Sequence, residues 1–288
     1  MKILITGNLG YVGSVLCDYL SRHCTYIELT GLDCGFFLDS SISSTTRESR
    51  VTHIKGAVRD VTPAMLKGTD AIVHLAAISN DPMGNKFERI TTAINRQGTI
   101  KLATAAAEAG VSSFVLASSC SIYGQSTAER KKEMDSLDPL TAYARSKVRA
   151  EIDLRDKAFE KMTISCLRFA TACGWSERLR LDLVLNDFVA CALSSGTITL
   201  LSDGMALRPI IDVEDMARAI TWAVFRNKET GGQYLAVNAG SNDSNYRIKD
   251  LADIVSQEIP GTAVKIDGSA SADSRSYSVD FSLFETIA

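Results

Sequence analysis

The sequence predicts an α/β fold, a doubly wound parallel sheet with a smaller α/β unit toward the C-terminus. Three observations predict it. Short, continuously apolar runs alternate with amphipathic segments through the first two-thirds of the chain. The first apolar run, Ile3-Leu4-Ile5, turns on glycines directly into a helical pattern. Past Gly174 the rhythm weakens into shorter pieces.

Taken in order, residues 2–6 read as a strand, 11–22 as a helix, 26–32 and 71–75 as strands, and 95–110 as a helix. Residues 114–118 then read as a strand, 143–161 as a helix and 163–169 as a strand. Runs such as Ala71-Ile72-Val73 are apolar at every position, as a parallel sheet covered on both faces requires. The Ser/Thr-rich stretch 39–50 and the charged stretch 125–138, closed by Pro139, read as surface loops. Farther on, helices are expected over 183–194, 213–225 and 248–259, and strands over 197–201 and 234–238. The division that follows is residues 1–173 as the Rossmann-type unit, with 208–228 returning to it, and 174–207 plus 229–288 as the smaller unit.

With 288 residues, 45% of them hydrophobic, there is ample material for a core. A net charge of −3 offers no basic field for nucleic acid. The opening MKILITGN is too short an apolar run for a secretory leader, and no later run approaches a membrane span, so the expectation is a cytoplasmic protein. Seven cysteines without a CxxC pair fit reduced thiols. His23, His53 and His74 show no ligand spacing, so no metal is expected.

The turn Thr6-Gly7-Asn8-Leu9-Gly10-Tyr11-Val12-Gly13 lies between the first strand and the first helix. Gly7 permits the tight turn, Gly10 lets the backbone approach a pyrophosphate, and Gly13 lets helix and strand close together. About 20 residues on, Asp33 ends the second strand, where a carboxylate accepts ribose hydroxyls and repels a 2′-phosphate. NAD is therefore favoured over NADP.

Tyr143 and Lys147 stand at i and i+4, on one helix face. Bringing a phenol from its usual value near 10 to about 7 takes roughly 4 kcal/mol of preferential phenolate stabilisation, which Lys147 and a positively charged nicotinamide could supply. A tyrosinate so poised can take a proton from a hydroxyl as hydride departs. Upstream, Ser118-Ser119-Cys120-Ser121-Ile122-Tyr123-Gly124 follows a strand whose carboxyl end is where open α/β sheets bind ligands.

Together with Arg59-Asp60, His74-Leu75-Ala76-Ala77, Asn95 with Gly98, and residues 208–215 (Arg-Pro-Ile-Ile-Asp-Val-Glu-Asp), these motifs resemble the extended short-chain dehydrogenase/reductase family. The nearest resemblance is to its nucleotide-sugar epimerases and dehydratases, and the motifs cover nearly the whole chain in family order. The resemblance implies Ser119, Tyr143 and Lys147 as catalytic residues. It implies a cofactor site at Gly7, Leu9, Gly10, Tyr11, Val12, Gly13, Asp33, Asp60, Val61, Leu75, Ala76, Ala77 and Asn95, shared with Tyr143 and Lys147. It implies substrate contacts at Ser79, Ser119, Cys120, Ser121, Thr171, Asn186, Arg208 and Arg275, with the arginines on phosphate. Arg275 could instead be an ion-pair partner.

The related 4,6-dehydratases place an acid immediately before the apolar-Tyr-Gly triplet, where this chain has Ser121. Dehydration is therefore ranked below epimerisation through a keto sugar, with a 4-ketoreductase or dehydrogenase as the nearer alternative. A dinucleotide-sensing binding protein is the non-enzymatic alternative, disfavoured because Tyr143 and Lys147 are both kept. Cys120 sits one place earlier than the catalytic cysteine of the related 3,5-epimerases, which favours an inert thiol. Thr171 replaces an asparagine common in the family, with Asn186 as a possible compensation. The chain ends at Ala288, somewhat short for the family. A homodimer through the helices of Asn95 and Tyr143 is what the resemblance implies for assembly.

Overall fold

Strand β1 (Lys2–Thr6) lies inside the main sheet because both of its faces are apolar: Ile3 and Ile5 enter the core on one side, and Leu4 enters it on the other. Such a strand needs helices on both faces. On the first face, α1 (Tyr11–His23) contributes Leu16 and Leu20, beside Met216, Ile220 and Val224 of the helix Val213–Phe225. On the second, the helix Thr99–Ala109 contributes Leu102 and Ala106, and the helix Ala142–Lys157 contributes Ala150 and Leu154. This computed structural model describes residues 1–40, 42, 50–126, 129–267 and 275–288. The expected loop at 39–50 therefore lies largely outside the described residues.

The other strands of this sheet are β2 (Glu28–Asp33), β3 (Val51–Lys55), β4 (Ala71–His74), β5 (Ser113–Ser119), β6 (Thr163–Phe169) and a strand at Tyr234–Ala239. With β7 (Thr171–Cys173), β8 (Thr197–Leu200) and β9 (Leu207–Asp212) intervening in the chain, that last strand is β10. Among the described residues the sheet has the order β10-β6-β5-β4-β1-β2-β3, and every pairing in it is parallel. The predicted doubly wound fold is the one observed.

Two differences concern the boundary between the units. Residues 229–288 are expected in the smaller unit, yet β10 is the outermost strand of the main sheet, in register with β6 from Tyr234 against Ile164 to Ala239 against Phe169. Leu235, Val237 and Ala239 face the core under α1, while Tyr234 and Ala236 face the other, so both faces are covered as in β1. The return expected from 208 starts instead at Val213, because β9 pairs with β7 and with β11 (Asn245–Arg247) in a separate small sheet. That small sheet, the parallel pair β8 with β12 (Ala263–Ile266), and the helices Val184–Ser195 and Ile248–Glu258 share a core of Phe188, Ala192, Ile198, Leu200, Ile210, Leu251 and Val255. Strand β3 was not expected, because four of its five residues are exposed and leave no apolar alternation to read.

Helices before and after β5 are numbered in order: α2 (Asp81–Lys86), α3 (Glu88–Thr92), α4 (Thr99–Ala109), α5 (Ala142–Lys157), α6 (Val184–Ser195) and α7 (Val213–Phe225). A π-helical stretch, Ala93–Gly98, joins α3 to α4. Helix α5 stops four residues earlier than expected, at Ala158, which takes the left-handed conformation at φ 44°. Among the described residues, no helix is long and apolar enough to cross a membrane.

Candidate active site

The carboxyl ends of β1, β2, β4 and β5 converge on one edge of the sheet. Gly7, at φ +76°, approaches the loop after β4 so closely that a Cβ there would meet Ala76 N at 2.7 Å. At Gly13 a Cβ would fall 2.2 Å from the Gly7 carbonyl oxygen, so the first turn of α1 can sit on the strand only without a side chain. Gly10 N-caps α1 without a side-chain acceptor. The leading amides of the helix are thus left to a ligand, and a helix N-terminus with a bare glycine turn fits the pyrophosphate of a dinucleotide. Asp33 closes the neighbouring strand and accepts from Leu9 N at 3.3 Å and Gly35 N at 2.8 Å. Leu75 N and Ala76 N, in turn, donate to the Thr6 carbonyl at 3.0 Å and the Thr6 hydroxyl at 3.4 Å.

Not every expected cofactor residue offers a side chain here. Tyr11 turns inward, donating to the Gly174 carbonyl at 2.8 Å and accepting from Asn186 Nδ2 at 3.3 Å, and burial pushes its phenol up to about 12. Val61 is buried in the core with Leu66 and Leu102, Val12 packs on the opposite core, and Asp60 is an exposed end of a short 3-10 turn. Asn95 lies in the π-helical stretch, where its amide accepts from Ile78 N at 2.8 Å and donates to the Ile78 carbonyl at 2.9 Å and Ser146 Oγ at 3.1 Å. It clamps the loop after β4, which carries Ala77 and Ser79, onto α5.

Thr141 caps α5 by accepting from Ala144 N at 3.1 Å, which sets Tyr143 in the first turn, facing the end of β5. The Ser119 hydroxyl lies close to the Tyr143 phenol and favours its ionised form. Ser119 Oγ also donates to Ser121 Oγ at 2.9 Å and accepts from Ser121 N at 3.1 Å, so the two serines form one hydroxyl cluster. Lys147 is buried, donates to the Ala117 carbonyl at 2.6 Å, and holds Nζ 5.6 Å from the Tyr143 ring centre. The expectation of a phenol brought toward neutrality needs correction for the protein by itself. Burial pushes Tyr143 up to about 12, more than the nearby Arg180 cation and the Ser119 hydroxyl pull it down.

On the substrate side, Arg208 is buried, donates to the carbonyls of Leu207 (2.9 Å) and Arg275, and stacks over Tyr277 at 5.2 Å. Arg275 makes a part-buried ion pair with Asp81 at 2.8 Å, the alternative weighed for it. Thr171 lies close to the Tyr277 phenol beside them. Two expected contacts are corrected. Cys120 is fully buried, with its thiol donating to the Arg168 carbonyl at 3.0 Å, and desolvation drives its acidity well below that of a free thiol. Asn186 uses its amide within the protein: Oδ1 accepts from Gly174 N at 3.0 Å, and Nδ2 donates to the Arg180 carbonyl at 3.0 Å and to Tyr11. It shapes the segment 174–180 and does not point into the cleft.

That segment delivers a residue the sequence reading missed. Arg180 Nη1 donates to Ser79 Oγ at 3.1 Å, while Nε and Nη2 grip Asp182 at 2.9 and 2.7 Å. Asp182 also accepts from Asn80 at 2.8 Å, and these bonds, chiefly Arg180's, hold its carboxyl down to about 2. The only sequence signal was a pair of arginines, 178 and 180, after a glycine.

A sequence model described as the NAD dependent epimerase/dehydratase family matches residues 3–240, which spans the glycine turn, Ser119, Tyr143, Lys147 and Arg208. The chain belongs to that family. It is accordingly an enzyme, and its cofactor is NAD. It is 30% identical over 267 residues to the uncharacterized UDP-glucose epimerase YtcB of Bacillus subtilis (strain 168), covering 89% of this chain and 82% of that one. It is 27% identical over 284 residues to the UDP-glucose 4-epimerase of Corynebacterium glutamicum, covering 91% and 81%. Among solved structures, MoeE5 in complex with UDP-glucuronic acid and NAD superposes with a TM-score of 0.84 at 23% identity, over 100% of this chain and 92% of that one. At that identity the likeness shows a shared fold.

Membership of the epimerase/dehydratase family accounts for the glycine turn and the Tyr143–Lys147 pair at once.

Proposed function

We propose that the protein is an epimerase that inverts one carbon of a nucleotide-activated sugar through a transient keto sugar. The observation that carries this reading is the Ser119–Ser121 hydroxyl cluster at the carboxyl edge of the sheet, close to Tyr143 and one turn from Lys147, with no carboxylate at position 121. Relatives called UDP-glucose 4-epimerase support the substrate class.

In this reading NAD supplies the hydride acceptor and donor. Ser119 holds the reacting hydroxyl of the sugar, and Tyr143, as the phenolate that Lys147 and a positively charged nicotinamide would stabilise, accepts its proton as the C–H bond breaks and the carbonyl forms. Lys147 keeps positive charge beside the phenol, and the Arg180 cation adds to it. When hydride returns to the other face of the ketone, Tyr143 gives the proton back, so the sugar is neither oxidised nor reduced overall. In this reading Arg208 and Arg275 grip the phosphates, with Arg275 exchanging Asp81 for the ligand. Position 121 lacks the acid that would protonate a departing hydroxyl, which disfavours elimination of water.

The test is incubation with UDP-, GDP-, CDP- and dTDP-sugars in deuterated water, with product analysis by NMR. Inversion without solvent deuterium on carbon is expected. Loss of water, or net oxidation with free NADH, would overturn the proposal.

A further inference from the structure

A fully buried ion pair lies beneath the Tyr143–Lys147 face and takes no part in the proton transfer described above. Glu151 follows Lys147 by one turn of α5, and its side chain is 4% exposed. Arg168, on β6, reaches it with Nη2 at 2.7 Å and Nε at 3.1 Å, and Ser118 Oγ donates to the remaining oxygen. Arg168 is itself braced, with Nη1 donating to Tyr123 Oη at 3.1 Å and to the Glu133 carbonyl at 2.9 Å. Tyr123 passes its own proton to Asn238 Oδ1 at 2.7 Å. Every partner of this carboxyl group donates to it, which is the environment of a carboxylate.

A buried pair of this kind contributes little net stability, since the desolvation of two ions offsets their attraction. Its place suggests another use. Ser118, which binds Glu151, directly follows Ala117, whose carbonyl receives Lys147. Lys147 and Glu151 therefore sit on successive turns of α5, and their partners Ala117 and Ser118 are successive residues of β5.

We propose that Glu151, fixed by Arg168 and Ser118, is the positioning residue that keeps the Lys147 ammonium charged inside the protein. The proposal rests on the role given to Lys147 in the function proposed above.

The surroundings leave few other candidates for that task. Tyr143 and Glu151 face Lys147 from its own helix, His74 from β4 and Cys166 from β6, where Arg168 holds Glu151. Burial drives His74 down to about 3, so it is neutral. Burial pushes the Cys166 thiol far up, so it too carries no charge. Tyr143 is a neutral phenol, since burial pushes it up to about 12, and Arg168 is a cation. Glu151 is the negative group. Burial alone pulls Lys147 down, to about 8 with its neighbours opposing that pull, and at neutral pH this margin decides whether the amine is charged.

The test reads Lys147 directly. In protein labelled with 13C at the lysine ε-carbon, the Lys147 resonance is assigned by its loss in Lys147→Arg and titrated by NMR. In Glu151→Gln its midpoint is expected to fall by about one pH unit or more, with the alkaline limb of kcat falling alongside, while Glu151→Asp keeps the wild-type midpoint. Should Glu151→Gln fail to fold, Glu151→Gln with Arg168→Gln is compared with Arg168→Gln alone, so that only the Glu151 charge differs, and the same fall in the Lys147 midpoint is expected. An unmoved Lys147 midpoint in whichever variant folds would overturn the proposal, even if activity were lost. A moved midpoint in a protein that turns over no nucleotide sugar would retire the epimerase reading and leave this one standing.

Discussion

Lys147 points its ammonium at the Tyr143 ring from 5.6 Å but gives a hydrogen bond to the carbonyl of Ala117, so it acts on the phenol through space. The hydroxyl that favours the Tyr143 phenolate is that of Ser119. The charge and the hydroxyl thus reach the phenol from two different elements, α5 and β5.

Tyr143→Phe is expected to lower kcat by about 10²–10⁴-fold while NAD remains bound, because only the transferable proton is removed. Lys147→Ala is expected to reduce both turnover and NAD content. Product formation from UDP-glucose, and NAD released on denaturation, measure the two. Full activity in Tyr143→Phe would show that another group moves the proton.

Arg180→Leu removes a cation that favours the Tyr143 phenolate and leaves Asp182 without its chief partner. The phenol should become harder to ionise, so the acidic limb of the rate profile should move up by about one pH unit, with roughly tenfold less activity at pH 7. Arg180→Lys, which keeps the charge and loses the paired grip on Asp182, should move that limb less. A pH profile of kcat measures both, and equal profiles in the two variants would refute the electrostatic account.

Asp33→Asn takes a charge from the acceptor of Leu9 N and Gly35 N at the end of β2. NAD affinity should fall about 10- to 100-fold, the scale of one or two hydrogen bonds to a charged group, and discrimination against NADP should relax. Isothermal titration with both dinucleotides measures the change.

His74 bridges the Thr6 hydroxyl at 2.7 Å and the Thr99 hydroxyl at 2.9 Å while remaining neutral, its ring held down to about 3 by burial. Below pH 6.5 the unfolded chain takes a proton on this ring and the folded chain does not, so stability is lost as pH falls from 6.5 toward 3. At about 1.4 kcal/mol per pH unit, that window holds at most about 5 kcal/mol. In His74→Gln the slope of unfolding free energy against pH should flatten across the window, as urea titrations at several pH values would register.

Cys120→Ala should leave kcat within about twofold and lower stability by about 1 kcal/mol, since the thiol packs in the core against Arg168. A large loss of turnover in a stably folded variant would return Cys120 to the chemistry.

The elements with a strong period were legible from sequence. Residues 163–169 and 213–225 have the bounds read from their apolar spacing, because β6 and α7 are buried on the faces that spacing describes. Strand β3 was not legible, since a nearly exposed edge strand has no face to mark. Strand β10 was legible as a strand but not as a member of the main sheet, since the pairing that places it is to β6, about 70 residues earlier.

The sequence by itself determined the glycine turn, the Asp33 at the second strand's end and the spacing of Tyr143 to Lys147, because each depends on neighbours within a turn or a strand. Only the tertiary structure decided that Cys120 and Asn186 face inward, that Arg180 comes down on Ser79, and that Glu151 stands with Arg168 behind Lys147. Those outcomes depend on which strand packs beside which, and burial and long-range charge, which no local pattern encodes, then set what each group can do.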